Sequence, residues 1–155
     1  MRFKSTGITL SYEALGPDNS TTPPILFIHG YPLSRKIWLP QMDALSEYTR
    51  VLAIDLRGFG DSEASTGPYS LDLFADDCIT LLDQLNITIP VIVCGLSMGG
   101  YITFALYRKY PQRVRGLILS STRAGSDTPE TKANRNKGLS IHYATQCSCK
   151  SRHCR

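Results

Sequence analysis

One serine stands where a chain could present a nucleophile. Val91-Ile92-Val93-Cys94 is a short, β-branched apolar run that reads as a buried strand, and Gly95-Leu96-Ser97-Met98-Gly99 follows it directly. Tyr101, Ile102, Ala105 and Leu106 then recur at helical spacing, which puts Ser97 on the corner between strand and helix. A corner that tight holds its central residue in a strained, often left-handed conformation, so the flanking positions need minimal side chains. The Ser97 hydroxyl would then project above the carboxyl end of the strand. The N–H of Met98 would open a helix whose positive end favours developing negative charge. These are the parts needed to attack a carbonyl carbon and to stabilise the oxyanion that results.

The elements that would position this corner follow from periodicity. Residues 3–15 alternate through Ile8, Leu10 and Tyr12 and suggest an antiparallel hairpin turned near Gly7. Ile25-Leu26-Phe27-Ile28 and Val51-Leu52-Ala53-Ile54 are continuous apolar runs, expected as strands covered on both faces. A helix is expected over residues 37–48, with Ile37, Trp38, Met42 and Leu45 inward and Pro40 in its first turn. Ser70 caps a second helix whose Leu71, Phe74, Cys78, Leu81, Leu82 and Leu85 form one apolar stripe. With Leu117-Ile118-Leu119 as a last strand, the order implies an α/β fold: a mostly parallel sheet flanked by helices, with an N-terminal antiparallel hairpin. Ligands gather at the carboxyl ends of such strands, where His29, Asp55 and Ser97 all fall.

Composition narrows the function classes. The chain of 155 residues carries a formal charge of +4, but residues 1–122 hold ten Lys and Arg against eleven Asp and Glu, and the remainder holds seven against two. The basicity belongs to the C-terminal segment, so no nucleic-acid partner is expected. No apolar stretch is long enough for a membrane span, and residues 1–5 lack the core of a signal peptide, so a cytoplasmic location without membrane contact is the expectation. Cys78 and Cys94 lie in apolar periodic segments and read as small buried hydrophobes. No Gly-x-Gly-x-x-Gly follows a strand, which argues against a dinucleotide site.

Three spaced motifs carry a family resemblance: His29-Gly30-Tyr31-Pro32-Leu33, Asp55-Leu56-Arg57-Gly58-Phe59-Gly60-Asp61-Ser62 and Gly95-Leu96-Ser97-Met98-Gly99-Gly100. In this order the chain resembles the α/β-hydrolase superfamily over about residues 8–137. Within it the chain looks most similar to small bacterial-type serine hydrolases such as 3-oxoadipate enol-lactonases and haloperoxidase-like esterases, which need no cofactor. The resemblance implies that Ser97 is the nucleophile and that the N–H groups of Met98 and Tyr31 form the oxyanion hole, with a small ester or lactone as substrate. Removing one such donor typically costs about 3 kcal/mol of transition-state stabilisation. On this reading Gly30 would keep a side chain out of the substrate's way, His29 would orient the oxyanion loop, and Asp55 and Arg57 would fix loops near the site.

In that superfamily the acid and the histidine follow the nucleophile. Asp127 is the one weak acid candidate and reads better as a helix cap before Pro129 and Glu130; His142 and His153 lie in a segment with no sustained apolar period. Residues 1–138 are therefore expected to form a truncated α/β-hydrolase domain lacking the cap, the acid and the base, and residues 139–155 a basic, Cys-rich, disordered tail. The spacing of Cys147, Cys149, His153 and Cys154 matches no common zinc pattern, so no metal is expected. The alternative is a catalytically silent chain that binds or self-associates through an exposed sheet edge.

Overall fold

The N-terminal alternation becomes a hairpin. Strand β1 (Arg2–Ser5) pairs antiparallel with β2 (Ile8–Leu15) across Thr6 and Gly7, whose φ values of 45° and 84° are the positive pair that a two-residue turn requires. Four parallel strands follow: β3 (Ile25–Ile28), β4 (Val51–Ile54), β5 (Val91–Leu96) and β6 (Val114–Ser120). The sheet order is β1-β2-β4-β3-β5-β6, with β2 antiparallel to β4 and every later pairing parallel. This is the mostly parallel sheet with an antiparallel hairpin that the sequence implied. The computed structural model describes residues 1–18, 21–125 and 128–131.

Period-two alternation sorts the central strands into two layers. Leu26, Ile28, Leu52, Ile54, Val91 and Val93 face helices α2 (Leu71–Gln84) and α3 (Met98–Lys109), which supply Phe74, Cys78, Leu81, Leu82, Ile102 and Leu106. Ile25, Phe27, Val51, Ala53 and Cys94 face the other way, against Trp38 and Met42. Cys78 and Cys94 thus lie in opposite layers, and burial pushes both thiols up, Cys94 to about 11. Neither is a thiolate at neutral pH.

Local chemistry explains the helix boundaries. The Ser70 hydroxyl accepts the N–H of Leu73 at 3.0 Å and caps α2, with Asp72 in the first turn. The single helix expected over residues 37–48 is instead a 3₁₀ turn, Arg35–Trp38, leading into α1 (Leu39–Leu45). Pro40 has no N–H to donate one helical turn back, so it is tolerated only in the first turn of an α-helix, and α1 accordingly begins one residue before it. The inward residues are those the spacing predicts: Trp38 and Met42 are buried, and Ile37 and Leu45 pack partly buried on the same cluster. Strand β5 also extends past Cys94, because Gly95 and Leu96 keep register with Leu119 and Ser120.

The chain divides into two units, Met1–Ala124 and Gly125–Arg155. In the second, the Thr128 hydroxyl accepts the N–H of Thr131 at 3.2 Å, so Thr128 fills the capping position at this short helical turn. Asp127, His142, His153, the cysteines of the tail and the boundary expected at residue 138 lie outside the described residues. Among the described residues no helix is long and apolar enough to cross a membrane.

Candidate active site

Ser97 occupies the single residue between β5 and α3, with φ 52° and ψ −111°. A serine gains nothing from this conformation by itself; the surroundings impose it. A methyl group on Gly99 would lie 2.3 Å from the Ile28 carbonyl oxygen, and one on Gly95 would lie 2.4 Å from the Gly99 oxygen. The start of α3 therefore packs directly against the end of β3, main chain on main chain, which only glycine allows. Among the described residues the Ser97 hydroxyl has no hydrogen-bond partner, and the residue is partly open to solvent. It is a hydroxyl held in place with its chemistry unspent.

The second loop of the site, residues 29–33, meets this corner at Gly30. A methyl group there would lie 3.0 Å from the Leu96 oxygen and 3.3 Å from the Ser97 Cβ, so the loop main chain abuts Ser97. The loop turns sharply, with the Leu33 N–H donating to the Gly30 oxygen at 2.9 Å and a cis bond between Tyr31 and Pro32. Met98 opens α3, and N–H groups in a helix's first turn have no partner one turn back. The 29–33 loop thus meets the Ser97 corner at Gly30, and α3 begins at the next residue, Met98.

His29 is fully buried, and both ring nitrogens are engaged. The Leu56 N–H donates to Nε2 at 3.1 Å, so the ring's one proton sits on Nδ1, 2.9 Å from the Gly30 oxygen. The imidazole links the end of β4 to the Gly30 loop and has no lone pair left for a serine proton. Burial holds its pKa below the ordinary 6.5, partly offset by the bond to Gly30 and by the nearby Asp55 charge. A pH dependence follows from this lowered value. Below pH 6.5 the unfolded chain protonates this ring while the folded chain does not, so stability falls as pH falls from that point towards the folded value. The slope for one proton cannot exceed about 1.4 kcal/mol per pH unit. Urea midpoints at pH 7.5 and 5.5 should therefore separate more in the wild type than in His29→Gln, and equal separations would show that the ring titrates alike in both states.

Asp55 is buried behind the same loops. Its carboxylate accepts the main-chain N–H of Arg35 at 2.7 Å and of Asp61 at 2.9 Å, and it pairs with the Arg35 guanidinium, which also reaches Asp61 at 3.0 Å. Ser62 donates to the Asp55 carbonyl at 2.6 Å and accepts the Ser11 N–H at 2.8 Å, which ties the turn after β4 to β2. Phe59 from this turn then packs edge-on against His29 and Tyr31, at 5.5 and 5.9 Å between ring centroids. Arg57 points elsewhere: Nε and Nη2 donate to Asp77 on α2 at 2.7 and 2.6 Å, and further bonds go to Ser65 and Thr6.

Sequence reasoning missed Arg35, Asp77 and Thr122. Asp77 did carry a signal, since a carboxylate in phase with the apolar stripe of α2 must meet a cation once buried. Arg35 and Thr122 carried none. Among the described residues no group of three or more His, Cys, Asp or Glu could hold a metal ion.

Comparison with known proteins agrees with this geometry. Residues 23–141 match the family model described as alpha/beta hydrolase fold. The chain is 31% identical to 3-oxoadipate enol-lactonase 2 of Acinetobacter baylyi over 126 residues, 79% of this chain and 46% of that protein. It is 32% identical to bifunctional epoxide hydrolase 2 of Sus scrofa over 133 residues, 84% of this chain and 22% of that one. A thermophilic esterase from Thermogutta terrifontis superposes with a TM-score of 0.79 at 41% identity, covering 88% of this chain and 50% of the esterase. The chain spans half or less of the length of these relatives. With a serine on a strand-to-helix corner, a buried histidine loop against it and this sheet order, the chain belongs to the alpha/beta hydrolase fold family.

Proposed function

We propose that this chain is the nucleophile-bearing part of a serine hydrolase acting on a small ester or lactone. The observation that carries the reading is the conformation of Ser97: a non-glycine residue at φ 52°, hydroxyl unpartnered, at the carboxyl end of a central parallel strand. In the proposed reaction the Ser97 oxygen attacks the carbonyl carbon, and the N–H groups of Tyr31 and Met98 receive the charge that develops on the carbonyl oxygen. The bond to the leaving oxygen then breaks, and water releases the acyl group from Ser97. The esterase and enol-lactonase among the relatives support the substrate class. No cofactor enters this chemistry.

His29 does not supply the base, because both its nitrogens are engaged. The proton acceptor and its orienting acid are therefore expected outside the described residues, and a chain without them retains only the residual rate of an oxyanion hole, several powers of ten below full activity. Treatment with a fluorophosphonate probe and with p-nitrophenyl acetate tests the reading. The expected result is labelling confined to Ser97 and abolished in Ser97→Ala; equal turnover by both proteins with no labelled serine sinks it.

A second reading is a non-catalytic chain that pairs with a second copy along β6. Ile118 and Leu119, on opposite faces of that edge strand, are 49% and 42% exposed, and this favours it. A concentration-dependent dimer that Ile118→Lys disperses, together with unlabelled Ser97, is the outcome that selects it.

A further inference from the structure

The corner that holds Ser97 is gripped from a side that the motif does not include. The Ser97 N–H donates to the Ser120 carbonyl at 2.9 Å, and the Ser97 carbonyl accepts the Thr122 hydroxyl at 3.0 Å as well as the Gly100 N–H at 2.9 Å. Both main-chain groups of the serine are thus bound by residues two apart on the turn that leaves β6. Between them Ser121 takes φ 47°, a conformation rare for a residue with a side chain. That left-handed residue bends the chain so that Ser120 and Thr122 meet the same peptide unit. Thr122 also lies directly on Gly100: a methyl group at that glycine would be 2.4 Å from the Thr122 Cγ2 and 2.5 Å from its Oγ1. The second glycine of Gly99-Gly100 is therefore explained by the turn after β6 and not by the corner itself.

We propose that residues 120–122 form a clamp on the nucleophile corner, with Thr122 the positioning residue that holds Ser97 in its left-handed conformation. The proposal deepens the catalytic reading of Ser97 and rests on it for its consequence in reactivity. A conformation this costly persists only where neighbours over-determine it. Here the serine's own α3 supplies one bond to its carbonyl, and Thr122 supplies the one that comes from outside the strand-helix unit. Removing it frees the peptide between Ser97 and Met98 to rotate, which moves the hydroxyl and the Met98 N–H together.

Thr122→Val removes the hydroxyl and keeps the branched shape against Gly100, whereas Thr122→Ser keeps the hydroxyl. The rate of Ser97 labelling by a fluorophosphonate is expected to fall about fivefold to tenfold in Thr122→Val, the scale of one lost hydrogen bond, and to return to within about twofold of wild type in Thr122→Ser. Amide exchange at Ser97, Met98 and Gly100 should accelerate in Thr122→Val and recover in Thr122→Ser, with the amides of β3 and β4 unchanged. Thr122→Ala serves as the hydroxyl-free variant where the valine protein does not fold. Unlabelled wild-type protein would count against the catalytic reading alone, and exchange would still decide the clamp. Equal exchange at those three amides with and without the hydroxyl overturns it.

Discussion

Arg57→Met is expected to destabilise the fold by about 3–5 kcal/mol, because it leaves the Asp77 carboxylate buried without its cation. The Arg57 and Asp77 side chains are 3% and 0% exposed, and the guanidinium meets both carboxylate oxygens. The same Asp77 oxygen that binds Nη2 accepts the Ser5 hydroxyl at 2.6 Å, and the second Nη2 bond goes to Thr6. One ion pair thus joins the turn after β4, the middle of α2 and the β1–β2 hairpin. Arg57→Met with Asp77→Leu should recover part of the loss, since replacing a buried pair by apolar groups is often neutral, while breaking it is not. The recovery should be incomplete by about 1–3 kcal/mol, the cost of the buried Ser5 hydroxyl left unsatisfied. Urea unfolding of the three proteins at neutral pH measures this directly. A single variant as stable as the wild type would mean that the carboxylate finds water or another donor.

Gly99→Ala is expected to slow Ser97 labelling by roughly a hundredfold, the loss that follows when one oxyanion donor is removed. The added methyl would stand 2.3 Å from the Ile28 oxygen and 2.8 Å from the His29 oxygen, both main-chain atoms that cannot rotate aside. Helix α3 must then lift from the end of β3, which on the proposed reading carries the Met98 N–H away from the oxyanion it would stabilise. Overpacking of this kind costs about 1–3 kcal/mol of stability, so most of the protein should remain folded while its reactivity falls. Labelling at the wild-type rate with an unchanged melting temperature would show that α3 does not need this close approach.

Sequence and tertiary structure contributed different kinds of information. Apolar alternation, the three- and four-residue spacing of α2 and the Ser70 cap are set by neighbours a few residues apart, where strand and helix geometry repeats, and the glycines around Ser97 form a motif readable as such although Gly99 and Gly100 answer to Ile28 and Thr122. The fold class and the position of the corner serine were therefore legible, and so was Pro40 near a helix start, though not the 3₁₀ turn that leads into it. His29 and Asp55 could be placed beside the site but not given partners. That His29 accepts from Leu56, that Asp55 takes Arg35, that Arg57 leaves the site for Asp77, and that Thr122 grips Ser97 depend on segments 20 to 27 residues apart. Such pairings exist only once the order β1-β2-β4-β3-β5-β6 brings β4 beside β3 and β6 beside β5. A hydrogen bond requires its partners within about 3 Å, and no local periodicity specifies which distant residue the sheet will deliver there.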